Sequence, residues 1–206
     1  MGALPLHRVS DYLQYLPITW REEGGIFVPL LPDEVVWLGF AGTTERPNAV
    51  RISLEDINAV TGKLSRPGFH SHMQDYLVCP PKLHWDGVRR GGTVEPFAAP
   101  ILTRETGIFK TLRVTVYEAF PGISFQEREV PARGIPVPVQ AASHGPASRE
   151  FCAVIPDPYG AETWDENSGT TVCVHIVEPA LYESVTGKVA PPPVSRKDVF
   201  TRYRLP

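Results

Sequence analysis

Apolar and polar residues alternate most clearly at residues 109–120. Leu112, Val114 and Val116 are separated by Arg113 and Thr115. Because side chains in a strand point alternately to opposite faces, this period of two predicts a strand with one buried face. Apolar runs bounded by Gly, Pro or Asp predict further strands, at residues 26–31, 34–40, 48–53, 76–78, 93–101, 123–130 and 172–177. We expect 124–130 to pair with 109–120 across a turn at residues 121–122.

Helical spacing is confined to short segments. Residues 9–16 carry apolar side chains at helical intervals and are followed by Pro17, which favours a short amphipathic helix that ends there. Residues 54–60 follow a capping-box spacing of Ser53 and Asp56 and precede Gly62. This pattern predicts a second helix of one to two turns.

A third helix is predicted near the end of the chain, where Pro179 provides a favourable first-turn residue and Gly187 a C-terminal stop. The tetrapeptide Val-Thr-Gly-Lys occurs both here, at residues 185–188, and at residues 60–63. The sequence leaves open an internal duplication, a single turn type used twice, and coincidence. Neither copy fits a phosphate-binding loop, because Leu64 and Val189 stand where Ser or Thr is required, so we exclude a nucleotide site.

These elements predict a mainly β fold, a β-sandwich or partly closed barrel with two or three short helices. We expect one domain over residues 1–206. The Pro-, Ala-, Gly- and Ser-rich stretch at residues 131–148 has the composition of a loop or linker. Residues 149–206 contain one strong strand and one short helix, so we expect them to pack back on the first lobe.

The composition is that of a globular protein with unusually many turn residues. The chain has 206 residues, of which 42% are hydrophobic, 22 are proline and 17 are glycine, and it carries a net charge of −3. The prolines shorten helices and favour turns and extended segments. The slightly acidic balance lacks the positive charge that attracts phosphate backbones and anionic lipids. We therefore expect neither a nucleic-acid partner nor a membrane partner.

The three cysteines, Cys79, Cys152 and Cys173, form no C-x-x-C pair. Free buried thiols are the interpretation that fits this odd number. The first ten residues lack the basic and apolar regions of a secretory signal, and no apolar run approaches the length of a membrane span. These features predict a cytoplasmic location.

The densest group of polar residues contains His70 and His72, which would project from the same face of an extended segment. Two imidazoles in this arrangement could bind a single zinc, iron or copper ion, with Asp75, His84 or Asp86 completing the site. The alternative is a loop with two solvent-exposed histidines.

His84 and Asp86 have the i, i+2 spacing at which a carboxylate can orient an imidazole for general acid–base catalysis. No nucleophile is marked by a recognisable motif nearby. The alternative is a structural turn, since Asp-Gly after Trp85 is favourable turn chemistry with an aromatic anchor.

A third cluster contains Asp157, Tyr159, Trp164 and Asp165 in a Gly- and Pro-bounded segment. The aromatic rings could stack on a sugar and the carboxylates could bind its hydroxyl groups or a cation. The alternative is an acidic capped turn with a buried aromatic residue. His175, inside an apolar strand, is predicted to be a core histidine with a backbone partner.

Several segments in order along the chain resemble a family of β-rich proteins from bacteria, fungi and amoebae for which no activity is established. The resemblance is carried by residues 34–40, 50–52, 57–62, 74–78, 85–87, 157–160, 164–165, 174–177 and 185–187. It implies one architecture over most of the chain and no particular activity. It also implies that residues 85–87 and 157–160 are parts of the fold, which weighs against catalysis by Asp86.

Two classes of function follow. The first is a non-catalytic binding or assembly module that contacts a small-molecule ligand or a protein partner through the loops near residues 70–86 and 157–167. The second is a small hydrolase, isomerase or cyclase, either metal-dependent through His70 and His72 or cofactor-independent through His84 and Asp86. Edge strands could also pair two copies into a homo-oligomer, and no sequence feature decides this.

Overall fold

The alternating segment in the middle of the chain is a central strand of the largest sheet. The computed structural model describes residues 4–31, 34–70, 73–91, 93–98, 110–125 and 154–192. Among them Thr111–Tyr117 form β11, and Leu112, Val114 and Val116 of this strand face the main hydrophobic core. The predicted strand and its buried face are confirmed.

The largest sheet has seven strands in the spatial order β1-β2-β12-β11-β5-β6, with β7 also paired to β5. The pair of β2 with β12 is parallel and the others are antiparallel. Its strands are β1 (His7–Arg8), β2 (Ile26–Pro29), β5 (Asn48–Leu54), β6 (Ile57–Asn58), β7 (Leu77–Cys79), β11 and β12 (Thr170–Val177).

Two smaller sheets complete the strand inventory of the described chain. One has the order β3-β10-β9 and the other pairs β4 with β8. Their strands are β3 (Val35–Val36), β4 (Leu38–Gly39), β8 (His84–Trp85), β9 (Gly87–Arg90) and β10 (Thr93–Ala98). Strands account for 37% of the described residues and helices for 19%, and none of the described sheets closes into a barrel. The mainly β prediction is confirmed.

The main core lies between one face of the large sheet and the two smaller sheets. The large sheet contributes Val50, Ile52 and Ile176, and the smaller sheets contribute Trp85 and Phe97, all of them buried. Burial of such side chains is the dominant favourable term in folding, at about 25 cal/mol per Å² of apolar surface. This packing fixes β5 and β7. Strand β5 contains Arg51, which holds one wall of the site described below, and β7 follows the segment that forms this wall.

Helices cover part of the opposite face of the large sheet. Among the described residues the α-helices are α1 (Ile18–Glu23) and α2 (Pro179–Thr186), and 3-10 helices span Val9–Tyr15, Ala161–Thr163 and Glu166–Ser168. Trp20 of α1 and Tyr182 of α2 pack with Phe27 in a second cluster of buried side chains. No helix in the described ranges is long and apolar enough to cross a membrane.

The prediction for α2 is confirmed at both ends, with a proline in its first turn and Gly187 in the left-handed conformation at its C-terminus. The first predicted helix is present only as 3-10 turns on either side of a kink at Tyr12, and these turns end before Pro17. The strand predicted at residues 34–40 is divided between β3 and β4, which belong to different sheets.

The helix predicted at residues 54–60 is wrong. Leu54 and Ile57 instead pair across a tight hairpin between β5 and β6, with Glu55 at a φ of 53°. The main-chain N–H of Ala59 donates to the carbonyl of Ile52, and the side chain of Asn58 binds the next N–H groups. Pairing with β5 and the side chain of Asn58 thus satisfy main-chain N–H groups that would have formed hydrogen bonds inside a helix.

The pairing predicted for residues 124–130 is also wrong in the part that the structure describes. Strand β11 lies between β5 and β12, and residues 123–125 belong to no strand. Residues 126–130 and the stretch at 131–148 lie outside the described residues. Strand β12 occupies the place beside β11 and links it to β2.

The two Val-Thr-Gly-Lys segments share a turn, although one follows a strand and the other ends a helix. The N–H of Gly62 donates to the carbonyl of Asn58 at 2.8 Å, and that of Gly187 to the carbonyl of Glu183 at 2.9 Å. The φ angles of the two glycines are 71° and 68°, a region that glycine occupies without steric cost. The preceding elements differ, so the strand–helix unit is not repeated.

Candidate functional site

A pocket in the described chain is built on the first of these turns, and Asn58 organises it. Asn58 is 1% exposed. Its Oδ1 accepts hydrogen bonds from the N–H groups of Val60 and Thr61, both at 3.0 Å, and from the hydroxyl of Thr61 at 3.3 Å. Its Nδ2 donates to the main-chain carbonyl of Asp75 at 2.7 Å. One buried amide therefore joins the turn to the segment that precedes β7.

The pocket lies between these two segments and has a volume of about 300 Å³. One side comes from the turn and the residues after it, and the other from the segment that leads to β7. The lining residues are Thr61, Lys63, Leu64, Arg66, His70, Met73 and Asp75. A volume of this size is at the lower end of the range for small-molecule sites, roughly 300–1,000 Å³.

Arg51 of β5 fixes the second wall. Its guanidinium lies 5.0 Å from the ring centroid of Phe69 and 5.5 Å from that of Tyr117. Its Nη2 donates to the carbonyl of Gly68 at 2.6 Å and lies 3.3 Å from Oδ1 of Asp75. The planar guanidinium suits this combination of stacking and directed hydrogen bonds. The Asp75 charge is thereby paired before any ligand is considered.

Two cationic side chains, those of Lys63 and Arg66, line the pocket without a described counter-charge. Neither Lys63 nor Arg66 forms an ion pair with a described carboxylate. Nζ of Lys63 instead lies 3.4 Å from the thioether sulfur of Met73 across the pocket. Since the one lining carboxylate, Asp75, is paired with Arg51, the lining carries a net positive charge.

His70 is the only member of the predicted metal pair that the structure describes, since His72 lies outside the described residues. His70 lines the pocket, and its Nε2 is buried without a hydrogen-bond partner. Within the described ranges no group of three or more His, Cys, Asp or Glu side chains is arranged to hold a metal ion. The metal site at His70 and His72 stays a prediction.

The predicted ligand-binding residues Asp157 and Trp164 form a closed hydrogen-bond network. Oδ2 of Asp157 accepts from the Tyr76 hydroxyl at 2.6 Å and from the indole N–H of Trp164 at 2.8 Å. Oδ1 of Asp157 accepts from the N–H of Tyr159 at 2.8 Å. Burial and then the Asp157 carboxylate raise the pKa of Tyr76, so its hydroxyl stays a donor. Trp164 is 2% exposed, which places its ring in the core.

The remaining member of that set, Asp165, precedes a 3-10 helix and accepts a hydrogen bond from the N–H of Asn167 at 2.9 Å. This is the geometry of a helix cap. The ring of Tyr159 packs edge-on to Trp164 at 6.0 Å. Ligand binding by these four residues remains a prediction, since their described interactions are with the protein itself.

The cluster nevertheless supports the pocket. The N–H of Asp157 donates to the Gln74 side chain at 2.8 Å, and the N–H of Phe69 donates to Glu166 at 3.0 Å. The predicted loops at residues 70–86 and 157–167 therefore meet, but through hydrogen bonds that brace the pocket wall. The described part of the pocket lining includes no residue after Asp75.

The predicted catalytic residues are placed elsewhere. His84 begins β8, opposite Gly39 of β4, and Asp86 follows Trp85. Burial lowers the pKa of His84, the positive charge of Lys82 lowers it further, and the negative charge of Asp86 raises it. Neither His84 nor Asp86 lines the pocket, so their acid–base role remains a prediction.

His175 is confirmed as a core histidine with a backbone partner. It is fully buried, its Nε2 bonds the carbonyl of Gly24 at 2.8 Å, and Trp20 stacks on it at 4.5 Å. Its Nδ1 lies 3.3 Å from the hydroxyl of Thr111. Burial lowers its pKa, against smaller raising effects of the Gly24 carbonyl and Glu23.

Sequence reasoning missed the two cations of the pocket. The sequence marks Lys63 only as part of a turn motif, and no motif contains Arg66. The available signal is the pair of basic residues three apart directly after a Gly-containing turn, with Leu64 between them. No sequence pattern indicates that the segment before β7 lies across from them.

Comparison with protein-family models, with curated proteins and with solved structures finds no match to this chain. The resemblance to a β-rich family therefore stays a prediction, and only the pocket supports the function proposed below.

Proposed function

We propose that this chain is a non-catalytic binding module that holds a small molecule in the pocket between the Asn58 turn and the segment preceding β7. The observation that carries the proposal is the pocket itself, about 300 Å³ in volume and lined by two cations without a described counter-charge. A concave site with a few convergent polar groups is the usual form of a small-molecule site.

The walls of the pocket are organised without a ligand, which supports binding. Asn58 ties the turn to Asp75, and Arg51 ties Gly68 and Asp75 to β5. A site whose walls are already fixed loses little conformational entropy on binding. In this proposal Asp157 and Glu166 brace the wall, and they do not contact the ligand.

Binding is preferred to the alternative, a small hydrolase, isomerase or cyclase. The predicted acid–base residues His84 and Asp86 do not line the pocket. The described lining has one hydroxyl, that of Thr61, and it donates to Asn58. A nucleophile needs its base within hydrogen-bond reach, and an amide oxygen is not a base of that kind.

We also propose a cytoplasmic location for this module. Cys79 and Cys173 are buried free thiols, and burial raises the pKa of both. Unpaired cysteines are usual in a reducing compartment. Cys152 lies outside the described residues.

The two methionines allow a direct test, because the chain contains only Met73 in the pocket and Met1. Protein labelled with ¹³C at the methionine methyl groups gives one signal for each. We expect members of a fragment library containing neutral, basic and acidic compounds to shift the Met73 signal saturably while Met1 stays unchanged. Failure of every fragment to shift Met73 selectively would overturn the proposed function. Chemical conversion of a bound fragment would favour the enzyme alternative.

A further inference from the structure

We infer that the ligand is a small organic monoacid with an apolar body, whose carboxylate is bound by Lys63 and Arg66. This inference rests on the proposed function, because it concerns the same pocket and names the chemical class that fits it. The argument comes from the charge of the lining, from its apolar surface and from the position of Asp75.

The charge of the lining selects an anion. Lys63 and Arg66 lie three residues apart on one segment, and neither is paired with a described carboxylate. Both residues are exposed, and two cations on one segment without a described counter-charge create a local positive potential that attracts an anion. Arginine also offers the planar fork that binds a carboxylate through two hydrogen bonds.

The apolar part of the lining selects an organic body. Leu64 is 68% exposed although it lines the pocket, and Met73 adds a polarizable thioether to the lining. The methylene groups of lysine and arginine add further apolar surface. An inorganic oxyanion would leave this surface in contact with water, whereas a branched or aromatic body would cover it.

Asp75 limits the ligand to one acidic group. Its side chain is 7% exposed and lies at the inner wall, where Arg51 already neutralises it. A second carboxylate placed there would lose its hydration without gaining an unpaired cation. The acid group is therefore expected at the side of Lys63 and Arg66, with the apolar body between Leu64 and Met73.

The test compares acids with their uncharged amides in the methionine-labelled protein. The probes are phenylacetate, 4-methylpentanoate and indole-3-acetate, the amide of each, and inorganic phosphate. We expect at least one acid to shift the Met73 signal saturably and to bind about tenfold more tightly than its amide, a difference of about 1.4 kcal/mol, because the carboxylate accepts charge-assisted hydrogen bonds that the amide does not. Phosphate should shift it weakly or not at all.

Matched variants test whether Lys63 and Arg66 bind the carboxylate of the acid. Lys63→Gln and Arg66→Gln should each weaken binding of the acid by about fivefold and leave the amide unaffected. Lys188→Gln is the control, because Lys188 has the corresponding place in the second Val-Thr-Gly-Lys turn and does not line the pocket. Both lysines donate their main-chain N–H in the turn, to Thr61 or Thr186, and the carbonyl of Lys63 also accepts from the N–H of Asn58. These are main-chain groups, so both variants keep them.

The outcomes separate the two proposals. Equal binding of acid and amide, or binding only of neutral or basic library fragments, would overturn the organic-acid inference and leave the proposed function standing. If phosphate shifts the Met73 signal as much as the acids do, the inference that the ligand has an apolar body is overturned. If no probe or fragment shifts Met73 selectively, both proposals fail together.

Discussion

The side-chain amide of Asn58 donates a hydrogen bond to the main-chain carbonyl of Asp75 at 2.7 Å, and this bond joins the two walls of the pocket. The carbonyl oxygen of the same amide accepts from Val60 and Thr61. The turn and the facing wall therefore depend on one buried side chain. Its removal should affect stability and pocket shape together.

Asn58→Ala is expected to lower the free energy of unfolding by about 2–4 kcal/mol, because it leaves several buried backbone groups without partners. Asn167→Ala is the control, since Asn167 is exposed and only its main-chain N–H is bonded. That control should change stability by less than about 0.5 kcal/mol. Urea unfolding measures both, and similar values for the two variants would refute the structural role of Asn58.

The two left-handed glycines should respond differently to alanine. A Cβ at Gly187 would meet no atom within 4 Å, whereas a Cβ at Gly62 would lie 1.9 Å from the carbonyl oxygen of Arg89. Gly187→Ala should therefore cost only the left-handed strain, about 1–2 kcal/mol. Gly62→Ala should cost roughly 1–3 kcal/mol more, because β9 must shift to admit the methyl group.

Thermal and urea unfolding of the two glycine variants provide the comparison. The φ angles of the two positions differ by only 3°, from 71° and 68°, so backbone strain is matched and the difference reports packing. Equal destabilisation would mean that the turn at Gly62 does not pack against Arg89 in solution.

Removal of the Tyr76 hydroxyl tests the network at Asp157. Tyr76→Phe should lower the free energy of unfolding by about 1.5–3 kcal/mol, because the lost bond is made to a half-buried carboxylate. Tyr15→Phe is the matched control at a residue that is 59% exposed. Urea unfolding at pH 7 measures the two losses. A loss for Tyr76→Phe no greater than for Tyr15→Phe would contradict the network.

Acidification should destabilise the protein partly through His175. Burial lowers its folded-state pKa below the value near 6.5 of an unfolded chain. Below pH 6.5 the unfolded state therefore binds more protons than the folded state, so stability is complete above about pH 6.5 and falls as the pH drops towards the folded pKa. His7 and His84, whose pKa values are also lowered by burial, act in the same direction.

His175→Gln isolates this contribution, because a glutamine amide can still donate to the Gly24 carbonyl but does not titrate. We expect lower stability at pH 7, from the lost stacking on Trp20, and a shallower dependence between pH 7 and 5.5. Urea unfolding at several pH values measures the slope. A slope equal to that of the unmodified protein would show that His175 does not titrate differently on folding.

Several elements could be predicted because their signals are local. The alternation in β11 needs only a buried face, and α2 begins at a proline and ends at a glycine with a left-handed φ. The predicted helix at residues 54–60 failed because its capping signal was equally local, while pairing with β5 and the side chain of Asn58 satisfied the same backbone groups. Local preference is worth a few tenths to about 1 kcal/mol per residue, which tertiary pairing readily exceeds.

The sequence by itself determined the mainly β class, the strand faces and the glycine turns, because these depend on side-chain periodicity and on backbone conformations that few residues can adopt. The tertiary structure decided that β12 lies beside β11, that Asp157 accepts from Tyr76, and that Lys63 faces Met73. These contacts join residues distant in sequence, and many alternative pairings satisfy the same hydrophobic pattern. The pocket exists only through them, so no motif along the chain could have marked it.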